Sequence, residues 1–491
     1  MILTGLAIFL IWLFVYLVLG SVIALVIKLL GGEVERYKTV IGLISLVVSV
    51  ILYRLMAGVE IGGTKPFKEK IKREKRKYRF KKVNHKKYYL KRGNRTYIGY
   101  DRMNEGALYL SDSIRNRHIH ILGSTGSGKS VLLFNIFKQD VERGMAVIFI
   151  DAKGDIENLG RVKEIVRGAG REKDLLYFLL HDESNTYNPL VLGNATQLKD
   201  KIISSIRWSE VYYQRVSENI LQLLFSAVKK ILTLKNLYDI LSEPEKIYDF
   251  SDDIEASREY IEFVSVHKKE KTTLTAEIGL IVFSDFYKKL DVVKPDINFF
   301  ECINNNKVVY FGIDVQSYQE TSRRIGRMIT EDINTTSGII QTQIKERERR
   351  YVSVIIDEFQ AFGTENFINC LSRGRSSGFM ITIAHQSLAD LEMIKKNFSK
   401  QVIDNTYTKI VLPINDPETI QTIADMIGTQ KELEETVEVI YSRGSYGDRG
   451  TLKLVDEYII HPNDIRRLRI GEAVYKSGVN SGILQIPVRL G

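Results

Sequence analysis

The chain has only two cysteines among its 491 residues, Cys302 and Cys370, far apart and in no CxxC spacing. Their scarcity excludes a disulfide scaffold and a zinc site built on cysteines, and it fits a reducing compartment for most of the chain. Eight prolines and 35 glycines leave no room for a collagen-like or proline-rich architecture. Internal repeats and low-complexity segments are absent as well. What is present is globular composition, 44% hydrophobic and 26% charged, which rules out a mostly disordered chain. The length predicts two or three domains.

The net charge of +10 points to nucleic acid or an anionic membrane surface as partner. Its position along the chain separates the two. From Ile2 to Ile27 no residue is charged, a run longer than the roughly 20 residues that span a bilayer as a helix. It lacks the basic start, short apolar core and cleavage site of a secretory signal, so a retained transmembrane helix is expected. A second apolar segment, Thr39–Val59, can also cross if Arg54 snorkels to the headgroups. Lys65–Arg92 then carries 15 Lys/Arg against Glu69 and Glu74. By the positive-inside rule this block places everything after the hairpin in the cytoplasm. The expected localisation is a prokaryotic cytoplasmic (inner) membrane, multi-pass, with basic juxtamembrane residues that also suit anionic lipid.

The strand-like run His118–Leu122 leads into Gly123, Ser124, Thr125, Gly126, Ser127, Gly128, Lys129 and Ser130, a GxxxxGK[ST] loop before a helical pattern. Such a loop turns its N–H groups and the helix dipole toward phosphate oxygens, so ATP is the expected cofactor. Lys129 would reach the β- and γ-phosphates, and the Ser130 hydroxyl would ligate Mg²⁺. Tyr351–Glu358 reads as an apolar strand delivering Asp357 and Glu358 to the ligand edge of a sheet. Asp357 would hold Mg²⁺ and Glu358 would polarise the attacking water. A further strand, Gly378–Ala384, ends in His385-Gln386, and the Gln386 amide can sense the γ-phosphate. On the preceding Gly/Ser-rich turn, Arg373 or Arg375 can act as a finger in a neighbouring subunit's site. His118 and His120 read as structural strand histidines. Further strands over Met145–Ile150, Lys307–Ile313, Lys409–Ile414 and Glu472–Lys476 predict a doubly covered, parallel α/β sheet.

Ala195–Ile278 holds one proline, Pro244, and no glycine, and it reads as helical. Ile220, Leu223, Leu224, Val228, Ile231 and Leu232 recur at helical spacing, a stripe that reads as core.

In these motifs the sequence resembles the TraG/TraD-type conjugative coupling proteins of type IV secretion systems, membrane-tethered members of the FtsK/HerA motor superfamily. The residues that carry the resemblance are His120–Ser130, Ile150–Asp155, Tyr187–Leu190, Ile355–Gln360, Arg373–Gly378 and Ile383–Leu391. It implies a RecA-like nucleotide-binding domain with an inserted all-α domain. The expected division is a transmembrane hairpin over 1–60, a basic linker over 61–95, nucleotide-binding parts over 96–194 and 293–491, and the insert over 195–292. In that family Arg375 and Gln386 correspond to a trans-acting arginine finger and a glutamine sensor. The resemblance further implies a homo-hexameric ring that hydrolyses ATP and passes DNA, usually single-stranded, with relaxase or relaxosome and type IV secretion channel proteins as partners. Alternatives are a substrate-recruiting receptor whose assembly is gated by nucleotide, and a HerA/FtsK-like pump for duplex DNA.

Overall fold

The computed structural model describes residues 83–89, 93–180, 183–442 and 445–488, with stretches of 16–28 and 39–48; over 433–452 it describes the backbone alone. The chain divides into two units, Met1–Tyr78 and Arg79–Gly491. In the first, the described residues of both stretches are helical. A Cβ placed on Gly20 would lie 3.5 Å from Ser45 Oγ, so the two helical stretches approach each other there. Among the described residues no helix is long and apolar enough to cross a membrane. Much of each apolar run, and the basic block up to residue 82, lies outside the described residues, so the expected spans gain no direct support.

The second unit is built on an 11-stranded sheet. In chain order its early strands are β1 (Arg95–Asp101), β2 (Gly106–Ser111), β3 (Ile119–Leu122), β4 (Ala146–Asp151) and β5 (Leu175–Leu179). Then come β6 (Val308–Gly312), β7 (Val352–Ile356), β8 (Phe379–His385) and β9 (Thr408–Val411). A separate hairpin, β10 (Thr429–Ser442) and β11 (Ser445–Tyr458), precedes β12 (Glu472–Ser477) and β13 (Asn480–Gln485). The sheet order is β2-β1-β13-β12-β9-β3-β8-β7-β4-β6-β5. From β9 to β5 every pairing is parallel, whereas β12, β13, β1 and β2 add antiparallel strands at one side. The strand expected over Glu472–Lys476 thus belongs to the sheet but runs against its neighbours. It leads into β13 through a tight hairpin, and a short turn can only return the chain antiparallel.

The parallel strands are apolar on both faces because both are covered. Along β4, Ala146, Ile148 and Ile150 enter one hydrophobic core while Val147 and Phe149 enter the other. The helices Lys129–Glu142 and Ile156–Gly168 cover the second face through Leu133, Phe137 and Val162. The helix spanning Val315–Gln343, interrupted at Gln319, and the helix Phe367–Ser377 cover the first.

The segment after Asn194 folds into the helices Ala195–Ser205, Val211–Ala227, Leu234–Ser242, Ile254–Val266 and Lys268–Val282. Two starts carry reciprocal caps, Asn194 with Gln197 and Thr233 with Asn236. Of the apolar stripe, Ile220, Leu224, Val228 and Leu232 are buried, Leu223 is partly buried and Ile231 is exposed. Their core is continuous with that of the sheet. Tyr187–Leu190 closes the base of this segment: Asn188 Nδ2 donates to the carbonyls of Leu232 and Val292, each 3.0 Å away. The Tyr187 hydroxyl and Lys201 Nζ share the buried Asp332 carboxylate at 2.9 and 2.6 Å.

Candidate active site

β3 runs into the loop Gly123–Gly128 and then the helix from Lys129. The loop's shape requires its glycines. Gly126 and Gly128 take φ of +76° and +105°, where side chains are rarely tolerated. A Cβ on Gly123 would sit 2.5 Å from Ser127 Oγ. Gly128 gives the following helix no side-chain cap, so its first N–H groups face the loop uncapped. Ser127 Oγ is buried there without a hydrogen-bond partner. Lys129 Nζ donates to the Gly123 carbonyl at 2.6 Å and lies 4.0 Å from Glu358 Oε1.

β7 is a neighbour of β8 and β4 in the sheet, and its end carries Asp357 and Glu358 beside this loop. Ser130 Oγ lies 3.4 Å from Asp357 Oδ2. Burial, then the nearby carboxylates of Asp151 and Glu358, push the Asp357 carboxyl up to about 7, against the pull of Lys129. Glu358 adopts a left-handed backbone, φ 48° and ψ 51°, a conformation non-glycine residues hold only where the surroundings fix them. Its Oε2 accepts from Gln360 Nε2 at 2.6 Å and from Gln386 Nε2 at 3.4 Å. Gln386, just beyond β8, also presents its Oε1 to the Thr125 hydroxyl at 3.4 Å. Lys129, Ser130, Asp357, Glu358 and Gln386 therefore converge at the carboxyl edge of the parallel strands. That is where open α/β sheets bind ligands.

Arg375 is elsewhere. It lies in the last turn of the helix Phe367–Ser377, which precedes β8, while Gln386 follows it. Its carbonyl accepts from Asn116 Nδ2 at 2.8 Å, next to the start of β3. The length of β3 thus separates Arg375 from the phosphate loop of its own chain. Arg373, on the same helix, lines a different cavity with Asp200 and Glu331.

Two residues without an assigned role in the sequence reading belong to the site. Asp151 ends β4, beside β7, and burial raises its carboxyl, opposed by bonds from the Lys153 N–H, Tyr310 and Asn158. An apolar strand closing on an acid, as at Asp357, was the available signal. Gln360 had none, because only the fold turns its amide back onto Glu358. His120 has a partner after all: its Nε2 lies 2.5 Å from that of His385 on β8, and the rings stack. Burial holds both imidazoles below their ordinary range, His385 down to about 4. Cys302 and Cys370 are free, buried thiols.

Residues 98–373 match the family model of the HerA helicase central domain. The chain belongs to that family of P-loop ATPases. Residues 351–469 also match the TraM recognition site of TraD and TraG. The type 4 coupling protein DotL of Legionella pneumophila is 22% identical over 393 residues, covering 66% of this chain. The chain aligns with only 50% of that relative's length. Among solved structures, the unbound bacterial conjugative coupling protein TrwBdeltaN70 superposes with a TM-score of 0.59 at 15% identity, over 80% of this chain and 89% of its own. TrwB with ADP and Mg²⁺ gives 0.57 at 15%, over 83% and 91%. VirB4 of Thermoanaerobacter pseudethanolicus gives 0.51 at 14%, over 80% and 96%. These superpositions establish the shared α/β P-loop ATPase fold.

Proposed function

We propose that this ATPase is a membrane-anchored DNA translocase that couples a relaxase–DNA substrate to a type IV secretion channel. The observation that carries hydrolysis is Gln386, which joins Thr125 of the phosphate loop to Glu358 across the site. ATP would lay its phosphates along the uncapped helix start. Lys129 would then exchange the Gly123 carbonyl for phosphate oxygens. Glu358, held by the amides of Gln360 and Gln386, is placed to accept a proton from the attacking water. Ser130 and Asp357 fit a divalent cation, since an ionised Asp357 beside Asp151 lacks a compensating cation other than Lys129. Mg²⁺ bound there would neutralise charge on the β- and γ-phosphates.

Arg375 fits a role in a neighbouring copy, because its own fold keeps it from its own loop. That placement supports homo-oligomerisation, with a hexameric ring as its expected form. Anchoring by the apolar runs Ile2–Ile27 and Thr39–Val59 is supported by their composition and by the approach of Gly20 to Ser45. This topology puts the motor on the cytoplasmic side of the membrane. Non-specific contacts to DNA phosphates would be local and salt-sensitive.

The test is the ATPase rate of the full chain across protein concentration, with and without single-stranded DNA. A rate rising steeply with both supports the translocase. A flat, DNA-independent rate would replace it with a nucleotide-gated receptor that recruits substrate, and stimulation by duplex alone with a duplex pump.

A further inference from the structure

At the opposite edge of the sheet from the phosphate loop, around the starts of β3, β8 and β9, lies a cavity of about 440 Å³. Arg117, Arg375, Lys409 and Lys476 line it, with Asp404 as the one carboxylate among its lining residues. Elsewhere in this unit buried cations are paired: Arg115 with Asp140, Lys201 with Asp332, Arg102 with Glu472. Here they are not. Arg117 stacks on the Tyr407 ring, 3.6 Å from its centroid. Lys409 is buried and donates to the Thr406 carbonyl, a neutral partner. Burial brings its ammonium down to about 8, with the Lys476 charge adding to the effect and Asp404 opposing it.

The fifth group is His118. Its backbone is left-handed, at φ 67°, so the protein holds strain to keep this side chain in place. Its Nδ1 accepts the Ile381 N–H at 3.3 Å, which fixes the proton of the neutral ring on Nε2. That Nε2 is buried, and the Leu371 carbonyl beside it falls short of hydrogen-bond geometry. Burial holds the imidazole down to about 4, partly offset by the Leu371 carbonyl, so at neutral pH it is a neutral donor. A buried N–H so weakly paired costs free energy unless something better placed accepts from it.

A concave site with four cations and a spare neutral donor calls for a compact anion with several acceptor oxygens. A phosphate monoester offers three terminal oxygens and about two charges. A phosphodiester offers two oxygens and one charge, so it would answer fewer of these four cations. We propose that this cavity is a second phosphate site, binding inorganic phosphate or the terminal phosphate of a nucleoside triphosphate. Arg117, Lys409 and Lys476 supply charge, and His118 Nε2–H supplies the directional bond. The site stands without the finger role of Arg375, so the variants below leave that residue untouched.

The experiment uses the full chain carrying Lys129→Ala to weaken the first site, titrated calorimetrically with inorganic phosphate and with ATP. The His118 imidazole ¹⁵N resonance provides a second readout. Saturable binding is expected, with a shift of that resonance and at least a tenfold loss of affinity in Arg117→Ala with Lys476→Ala. Lys476→Arg should retain most of the affinity, and an unchanged thermal melt shows that the variants fold. Competition between ATP and phosphate assigns the nucleotide's terminal phosphate, and binding of phosphate alone assigns the free anion. An absence of binding, affinity indifferent to the variants, or displacement by a single-stranded oligonucleotide but not by phosphate overturns the proposal.

Discussion

The two edges of the parallel sheet carry opposite problems of charge. At the carboxyl edge, Asp357, Asp151 and Glu358 crowd around one lysine, and the Asp357 carboxyl responds by holding its proton up to about pH 7. At the amino edge, Arg117, Arg375, Lys409 and Lys476 share one carboxylate, and the Lys409 ammonium gives up its proton more readily. Each edge lacks what a nucleotide complex would bring: a divalent cation to the first, phosphate to both. The contrast teaches that an uncompensated charge cluster locates a ligand's charge even when no ligand is present.

The sharpest way to break this comparison is Lys129→Ala, which removes the cation that opposes the Asp357 charge. Steady-state ATP hydrolysis should fall to background. At the other edge, Arg375→Ala should lower kcat by about 10³ where copies assemble, the range of an arginine finger. Nucleotide affinity of the dilute chain should not change. An equal loss at every protein concentration would show that Arg375 acts within its own chain or on stability alone. Glu358→Gln should lower kcat by roughly 10²-fold or more while the chain still binds ATP, since it removes the proton acceptor and keeps the shape.

A smaller effect separates the edges by pH. Asp357 carries a raised pKa in the ligand-free fold, so the native state binds its proton more tightly than the unfolded chain. Its contribution to stability is therefore fully present below the ordinary carboxylate range and is lost as pH rises to about 7. Asp357→Asn should stabilise the ligand-free protein above pH 7 by about 2–4 kcal/mol and flatten this dependence in thermal melts. Mg²⁺ with nucleotide should protect the natural protein over the same range and the variant much less. The least effect belongs to a residue away from both edges. Tyr187→Phe should cost about 1 kcal/mol in denaturant unfolding and leave ATPase activity unchanged.

Much of the carboxyl edge was legible in the chain. A strand, a glycine loop and a helix in that order impose one local geometry, and an apolar strand ending in acids has only one edge to reach. The charge arithmetic was equally local: removing the block Lys65–Arg92 leaves the rest of the chain slightly acidic, so basicity is no property of the ATPase surface as a whole. The hairpin β10–β11 was not legible. Its strands pair only with each other, outside the main sheet, so the apolar runs of the central strands were no guide to them. β1 and β2 went unread for a related reason, since they are antiparallel strands at the side of the sheet.

The sequence by itself determined the phosphate loop, the acids at the end of β7 and the amide beyond β8, because each is set by neighbours a few residues away. Only the tertiary structure decided that Gln386 meets Glu358, that His120 meets His385, and that Arg375 turns away from its own loop. Those outcomes depend on strand order, which sets β8 between β7 and β3 although the chain from β3 to β8 runs through the helical segment. The cavity at the amino edge is the clearest case. Arg117, His118, Lys409 and Lys476 are scattered along the chain, and no spacing rule connects them. The parallel β3 and β9 start at one edge and the antiparallel β12 ends there, which brings their charges into one place.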